Sequence, residues 1–176
     1  RQVLHRFRRE NPNAVIILTG CMVQAFSDEA KELLSDADVI VGNTDVNKTV
    51  ALTEKFLKDG EKICEILPHE KKERFNTPDI TDFAERTRAY MKIEDGCDRF
   101  CSYCIIPTAR GFVRSKPCED IKKEATELAQ KGFSEVVLVG INLSSYGKGE
   151  NLNLCDAVDA VCEVEGIKRV RLGSLE

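Results

Sequence analysis

Three cysteines lie close together in the middle of the sequence, in the run DGCDRFCSYCIIP at residues 95–107. Cys97, Cys101 and Cys104 have the spacing C-x3-C-x2-C, so their thiolates can each hold one corner of a four-iron, four-sulfur (4Fe-4S) cluster. Such a cluster normally takes four cysteine ligands. Three ligands leave one iron open to a small molecule, much as catalytic zinc sites keep an open position. The spacing therefore predicts a reactive cluster that can chelate the amino and carboxylate groups of S-adenosylmethionine (SAM), as radical generation requires.

Other metal sites fit this spacing less well. Structural zinc sites usually show two C-x2-C pairs or added histidines, and only His5 and His69 are present, both far from the loop. The ferredoxin pattern C-x2-C-x2-C-x3-C-P is absent from the sequence. A non-catalytic iron–sulfur or zinc module for electron transfer or binding stays open as an alternative from another class.

The elements around the loop should place it at the edge of a parallel sheet. The loop follows a run of strand type, and β/α folds place their chemistry beyond the carboxyl ends of strands. The predicted strands of this half are 89–94, 135–142 and 168–175, and its helices are 118–131, ended by Gly132, and 152–164, ended by Gly166. Repeated β–α units form a doubly wound sheet or a barrel. Three units cannot close a barrel alone.

The first half of the sequence also alternates between helix and strand. Its strands are apolar runs typical of parallel strands that helices cover. The predicted strands are 14–20, 39–42 and 62–67, and the helices are one ending near Asn11–Pro12, 28–35 with Ser27 as N-cap, and 46–59, ended by Gly60. Residues 68–87 carry two prolines, many charges and no sustained period, which predicts a linker. The predicted organisation is an N-terminal domain at 1–67, a linker at 68–87 and a second domain at 88–176.

Composition and charge narrow the class of protein. The chain has 176 residues, of which 42% are hydrophobic and 32% charged, and its net charge is −4, so the overall field does not indicate a nucleic-acid partner. No apolar run reaches the roughly 18 residues that cross a membrane, and no secretory signal opens the sequence. We therefore expect a cytoplasmic protein without a membrane partner, in which clustered thiols among its eight cysteines bind metal. The sequence begins inside a predicted helix and ends directly after a predicted strand, with no closing element, so we also expect a piece of a longer protein.

Four separated runs resemble the radical SAM methylthiotransferase family. The clearest is RAYMKIEDGCDRFCSYCIIPTARGFVRS, and the others are VVLVGINLSSYG at 136–147, RVRLGSLE at 169–176 and VIILTGCMVQ at 15–24. The resemblance implies a partial N-terminal domain with a flavodoxin-like parallel sheet, followed by the first β/α units of a radical SAM partial TIM barrel. It implies a transferase that uses SAM and two 4Fe-4S clusters, one coordinating SAM and one auxiliary.

The family attaches a methylthio group to C2 of a modified adenosine at position 37 of tRNA, or to an aspartate of a ribosomal protein. The runs KIEDGCDRFCSYCIIP, GINLSSYG and RLGSLE most resemble the subgroup acting on N6-threonylcarbamoyladenosine. The isopentenyladenosine and ribosomal-aspartate subgroups stay open. The implied partners are a tRNA anticodon loop, whose unpaired bases can enter a pocket, and an electron donor such as flavodoxin or ferredoxin.

The resemblance also implies roles for single residues. Cofactor contacts fall on Tyr103 near the SAM adenine, on Gly140 and Asn142 near the SAM methionine, and on Ser174 and Glu176. Cys21 is implied as one of three ligands of the auxiliary cluster, with the other two upstream of Arg1. Since one thiolate cannot hold a cluster, we expect the chain as given not to perform methylthiolation.

The remaining basic residues and thiols have more ordinary interpretations. Arg110, Arg114 and Lys116 follow the cysteine loop with no acid among them and could bind tRNA phosphates or form a solvated face. Cys64 in its strand, and Cys155 and Cys162 on one helix face with Val158, are predicted to pack in the core.

Overall fold

The computed structural model describes residues 1–71, 73–77, 79–80, 87–173 and 175. The chain divides into two compact units. The first comprises Arg1–Glu70 and Ser102–Arg110, and the second comprises Lys71–Cys101 and Gly111–Glu176. In the described part of the chain, no helix is long and apolar enough to span a membrane.

The first unit is built on a three-stranded parallel sheet in the order β1-β2-β3. The strands are β1 (Ile17–Thr19), β2 (Val39–Val41) and β3 (Ile63–Glu65), and the helices are α1 (Gln2–Glu10), α2 (Cys21–Ala25), α3 (Ser27–Leu33), α4 (Thr49–Asp59) and α5 (Ile106–Arg110). The central strand β2 is fully buried, as its unbroken apolar run predicts. Its core neighbours include Ile16, Val23 and Leu34.

Local signals set the helix ends of this unit. Helix α4 ends at Gly60, which adopts the left-handed conformation with φ 71° that glycine reaches without strain. The prediction of Ser27 as an N-cap is wrong, because Ser27 is the first helical residue of α3. The N-cap position is held by Phe26.

The second unit contains a parallel sheet in the order β4-β7-β8. Its elements are β4 (Ala89–Lys92), β5 (Glu94–Asp95), β6 (Arg114–Ser115), α6 (Cys118–Gln130), β7 (Glu135–Val139), α7 (Leu154–Cys162) and β8 (Arg169–Leu172). Helices α6 and α7 cover the sheet, and Met91, Ile121, Leu128 and Leu138 are fully buried between these layers. The short strands β5 and β6 pair antiparallel, with Asp95 opposite Arg114.

The predicted α/β class with parallel sheets is confirmed. The flavodoxin-like type of the first sheet and the domain boundaries at 67 and 87 stay predictions, and part of the expected linker lies outside the described residues. The sequence reading did not foresee helices α2 and α5 or the β5–β6 pair. These elements are two to five residues long, which is too short for apolar periodicity to show.

Candidate active site

The cysteine loop leaves the sheet of the second unit in a constrained conformation. Gly96, immediately before Cys97, has φ 86°, and a Cβ there would lie 2.0 Å from the carbonyl oxygen of Phe112. The backbone N–H of Cys97 donates to the carbonyl oxygen of Gly111 at 3.0 Å. Phe100 also has a positive φ, 48°, which is uncommon for a residue with a side chain. Only glycine fits at position 96, so the start of the loop is held against residues 111–112.

Within the second unit, Cys97 is half-buried and Cys101 is exposed. Phe100 beside Cys101 contacts the ring of Phe112 edge to face, with the ring centroids 6.0 Å apart. The apolar ring of Phe112 also lies under the ammonium group of Lys71. Aromatic side chains therefore border this end of the loop.

Cys104 and Tyr103 belong to the first unit, where Cys104 is half-buried and Tyr103 is 91% exposed. The helix that follows them, α5, packs against α2, whose first residue is Cys21. The side-chain amide of Asn43, just beyond β2, donates to the carbonyl oxygen of Ala109 in α5 at 2.8 Å. The predicted auxiliary ligand thus begins a helix that packs against the helix following the cysteine loop.

The thiols fit an iron–sulfur cluster by their chemistry. All eight cysteines are free of disulfides, so Cys97, Cys101 and Cys104 can act as thiolate ligands. Among the residues that the structure describes, no three His, Cys, Asp or Glu side chains are grouped so as to hold a metal ion. The donor set is therefore suitable, and its assembly into a ligand set stays a prediction.

A buried carboxylate lies at the carboxyl end of the second unit's sheet, three residues before Cys97. Glu94 is fully buried, and its Oε2 accepts a hydrogen bond from the backbone N–H of Asn142 at 2.7 Å. Asn142 itself is 3% exposed, and its side-chain amide donates to the Oγ of Ser145 at 3.0 Å. The end of β4 and the loop after β7 are thereby joined.

Gly140 makes room for this carboxylate. A Cβ at Gly140 would lie 2.6 Å from Oε2 of Glu94 and 2.9 Å from its Cβ. The resemblance assigned Gly140 to close approach of SAM. The structure shows in addition that this glycine is required by a side chain of the chain itself.

Burial raises the pKa of Glu94 from its ordinary value of 4.5 to about 6. Backbone N–H groups of Asn142 and Ile141 and the charge of Lys92 oppose this rise, whereas the charge of Asp95 adds to it. Desolvation dominates because the ionised form of a carboxyl group loses most by leaving water. Oε1 of Glu94 and Oδ1 of Asn142 are both buried and without a hydrogen-bond partner.

The basic residues after the loop are engaged within the second unit. The ammonium group of Lys116, whose side chain is 4% exposed, pairs with Asp79 and with Glu124. Arg114 pairs with Glu73 at 2.7 Å and with Asp95 at 3.4 Å. A buried and doubly paired ammonium group cannot also face a phosphate, so Lys116 is better described as a structural residue.

Arg110 lies half-buried in α5 of the first unit. A role for Arg110 or Arg114 in binding RNA stays a prediction. Ser174 and Glu176, the two other expected cofactor contacts, lie outside the described residues.

The expectation that Cys64, Cys155 and Cys162 pack in the core is wrong, because all three are exposed. Cys64 lies on β3 and the other two on α7, where Ala157, Ala160 and Val161 form the buried face instead. The helical spacing of seven placed the two α7 cysteines on one face, but that face is not the one directed to the sheet.

Sequence reasoning also missed Glu94. The available signal was a charged residue directly following the apolar strand run AYMKI and preceding Gly96 and Cys97. A charge at the end of a buried strand is either solvated or held by backbone N–H groups. Only the position of the loop after β7 shows that Glu94 is of the second kind.

Comparisons with known proteins agree on one class. Residues 91–172 match the radical SAM superfamily. The chain is 37% identical over 99% of its length to threonylcarbamoyladenosine tRNA methylthiotransferase MtaB of Aquifex aeolicus, covering 42% of that protein. It is 37% identical over 96% of its length to tRNA-2-methylthio-N(6)-dimethylallyladenosine synthase of Clostridium perfringens, covering 38% of that protein. It is 33% identical over 90% of its length to ribosomal protein uS12 methylthiotransferase RimO of Clostridium botulinum, covering 36% of that protein. The chain thus spans about two fifths of the length of the curated relatives it matches.

Proposed function

We propose that this chain, which is similar over nearly its whole length to radical SAM methylthiotransferases, forms the radical-generating part of an enzyme that methylthiolates C2 of N6-threonylcarbamoyladenosine at position 37 of tRNA. The observation that carries the proposal is the cysteine loop. It carries three free thiols at C-x3-C-x2-C spacing and leaves the carboxyl end of the first strand of a parallel sheet. Family members use SAM and a 4Fe-4S cluster.

The chain's own residues have separable tasks in this proposal. Cys97, Cys101 and Cys104 hold the cluster, and Gly96 and the carbonyl group of Gly111 fix the backbone of Cys97. A reduced 4Fe-4S cluster held by these thiolates would supply the electron for the reductive cleavage of SAM. Gly140 and Asn142 bind the methionine part of SAM at the strand ends, and Tyr103, which is exposed, contacts the adenine.

We further propose that Cys21 is a ligand of an auxiliary 4Fe-4S cluster that provides the transferred sulfur. Its place at the start of α2, which packs against α5 in the same unit, supports this role. Threonylcarbamoyladenosine is the substrate that appears in the names of the relatives called MtaB. Dimethylallyladenosine in tRNA and ribosomal protein uS12 are the alternatives that other relatives' names supply. A tRNA anticodon loop and an electron donor such as flavodoxin or ferredoxin, in the cytoplasm, complete the proposal.

The cluster assignment can be tested by anaerobic reconstitution of the 176-residue chain. We expect about four iron ions in the radical-generating cluster, and Cys101→Ala should abolish it. Cys155→Ala is the matched control, since Cys155 is an exposed thiol of the same unit and should leave the iron content unchanged. Equal loss of iron in both variants would contradict the assignment.

The same sample separates the enzyme from a non-catalytic iron–sulfur module. SAM should change the electron paramagnetic resonance spectrum of the reduced cluster if one iron is open to it. A spectrum that SAM leaves unchanged would favour the electron-transfer alternative.

A further inference from the structure

Two buried oxygen atoms near the cysteine loop lack hydrogen-bond donors. They are Oε1 of Glu94, which is fully buried, and Oδ1 of Asn142, which is 3% exposed. A buried polar atom without a partner costs roughly 1–3 kcal/mol, so such atoms are uncommon in native structures and call for an explanation. Both atoms are acceptors, so what the pair lacks is a donor.

The two residues are joined where ligands bind in β/α folds. Glu94 follows β4 and Asn142 follows β7, the neighbouring parallel strand, and the backbone N–H of Asn142 donates to the other carboxylate oxygen at 2.7 Å. That edge, beyond the carboxyl ends of parallel strands, is the usual ligand position of such sheets. Gly140, beside the carboxylate, is partly exposed, so a ligand that approaches its backbone comes next to Glu94.

The chemistry of the pair selects the ligand group. A carboxylate oxygen and an amide oxygen both accept and cannot satisfy each other. A primary amino group presents several N–H donors, whereas a ligand carboxylate at this point would add a third acceptor beside a negative charge. The pair therefore favours an amino group and disfavours an anion.

We propose that Glu94 is a further SAM-binding residue, which together with Asn142 accepts N–H hydrogen bonds from the amino group of the SAM methionine moiety. The inference rests on the function proposed above and extends it to a residue with no role there. Gly140 then has a second role, because it leaves the space that the Glu94 carboxylate occupies.

Glu94→Gln distinguishes a binding role from a purely structural one. The amide oxygen of glutamine can still accept from the backbone N–H of Asn142, and its NH2 group replaces Oε1. Replacing the carboxylate by an amide removes a buried charge, which favours folding. The amide NH2 group, however, is a donor at the place where the ligand amino group needs an acceptor. We therefore expect a variant at least as stable as the unsubstituted chain that binds SAM more weakly.

The test measures dissociation constants by equilibrium dialysis, with the full chain carrying its reconstituted cluster. Glu94→Gln should weaken SAM binding by roughly 10- to 100-fold, the range for losing a hydrogen bond that involves a charged group. It should leave binding of 5′-methylthioadenosine, which lacks the amino-acid part, unchanged. Glu135→Gln, at the opposite end of β7, is the control and should bind both compounds as before.

The outcomes separate this inference from the proposed function. Equal SAM affinity in Glu94→Gln and the unsubstituted chain, or equal weakening for both compounds, overturns the inference alone. Absence of SAM binding to the unsubstituted chain overturns both. If Glu94→Gln does not fold, Glu94→Met, which fills a similar volume without an acceptor oxygen, must show the same selective loss.

Discussion

Glu94 is a residue at which burial and function compete. The carboxyl group has left water, and two backbone N–H groups together with Lys92 recover only part of that loss, so its pKa is raised. An apolar side chain of the same size would fit the core without this cost. A buried carboxylate at the end of a strand is therefore the kind of local conflict that is expected at a functional site.

The raised pKa predicts a pH dependence of stability. Between pH 4.5 and about 6 the folded chain binds more protons at Glu94 than the unfolded chain. The contribution of this group to stability is therefore greatest below 4.5 and falls as the pH rises through 6, by about 2 kcal/mol in total. The free energies of unfolding of the unsubstituted chain and of Glu94→Gln can be measured in urea below pH 4.5 and above pH 6. The stability of the unsubstituted chain relative to Glu94→Gln should fall by about this amount between the two pH values.

Glu135 provides a matched control, because its contribution to stability should change with pH in the opposite direction. Arg169 and Arg171 lower the pKa of Glu135, so its contribution is present above the ordinary pKa and is lost as the pH falls. Glu135→Gln should therefore lose stability relative to the unsubstituted chain at neutral pH and not at acid pH. If Glu94→Gln shows the same trend, the argument from burial is wrong.

At the scale of elements, buried charges attach an irregular segment to helix α6. Lys116 precedes the helix and pairs with Glu124 on it and with Asp79 of the segment before β4, at 2.5 Å from the latter. The backbone N–H of Ile80 also donates to Glu124, at 3.4 Å. Removing one partner of a buried pair leaves the other charge uncompensated.

Lys116→Met should therefore destabilise the second unit by about 3–5 kcal/mol, as measured by chemical denaturation. The double variant Lys116→Met/Glu124→Leu should recover most of that loss, because no isolated buried charge remains. Lys122→Met removes the exposed pair of Lys122 with Glu163 and serves as control, with an expected change of at most about 1 kcal/mol. A loss in the double variant as large as in the single one would show that packing, not charge, matters at position 116.

The start of helix α7 is set by capping side chains. Helix α7 begins with a capping box: the side chain of Asn153 accepts from the backbone N–H of Cys155, and Asp156 accepts from the backbone N–H of Asn153. Two of the N–H groups that every helix start leaves unpaired are satisfied in this way. The helix therefore begins at Leu154 and not at the predicted residue 152. Its start is set by the capping side chains and not by the spacing of apolar residues.

At the scale of the whole molecule, charge does not favour nucleic acid. The net charge is −4, and the basic side chains of Arg114 and Lys116 are paired with acids. A tRNA partner would then be recognised through unpaired bases of the anticodon loop more than through its phosphates.

If tRNA is the partner, as proposed, the 176-residue chain should bind it with a shallow salt dependence, a log–log slope no steeper than about −2. The reason is that Arg114 and Lys116 are already paired with acids and the net charge is −4. Fluorescence anisotropy over a series of salt concentrations measures this slope. A DNA duplex of similar length is the control and should bind no more tightly than the tRNA. A slope of about −5 or steeper would show that the chain presents a phosphate-binding surface.

The sequence by itself determined the order of the longer helices and of the strands in the two parallel sheets, and with it the parallel α/β class. It also predicted the chemical type of the cysteine loop. These features depend on local patterns: an unbroken apolar run such as β2, a glycine such as Gly60 at a helix end, and three thiols within eight residues. Such patterns act between neighbours along the chain, so they can be read before any tertiary contact is known.

Only the tertiary structure decided which polar groups are buried and what holds them. Glu94 and Asn142 are 48 residues apart, and Lys116 and Asp79 are 37 apart, so neither pairing leaves a mark in local spacing. Cys155 and Cys162 share a helix face by periodicity, yet whether that face is directed to the sheet depends on how α7 packs. Burial and long-range hydrogen bonds are properties of the packed chain, because they arise where segments distant in sequence exclude water together.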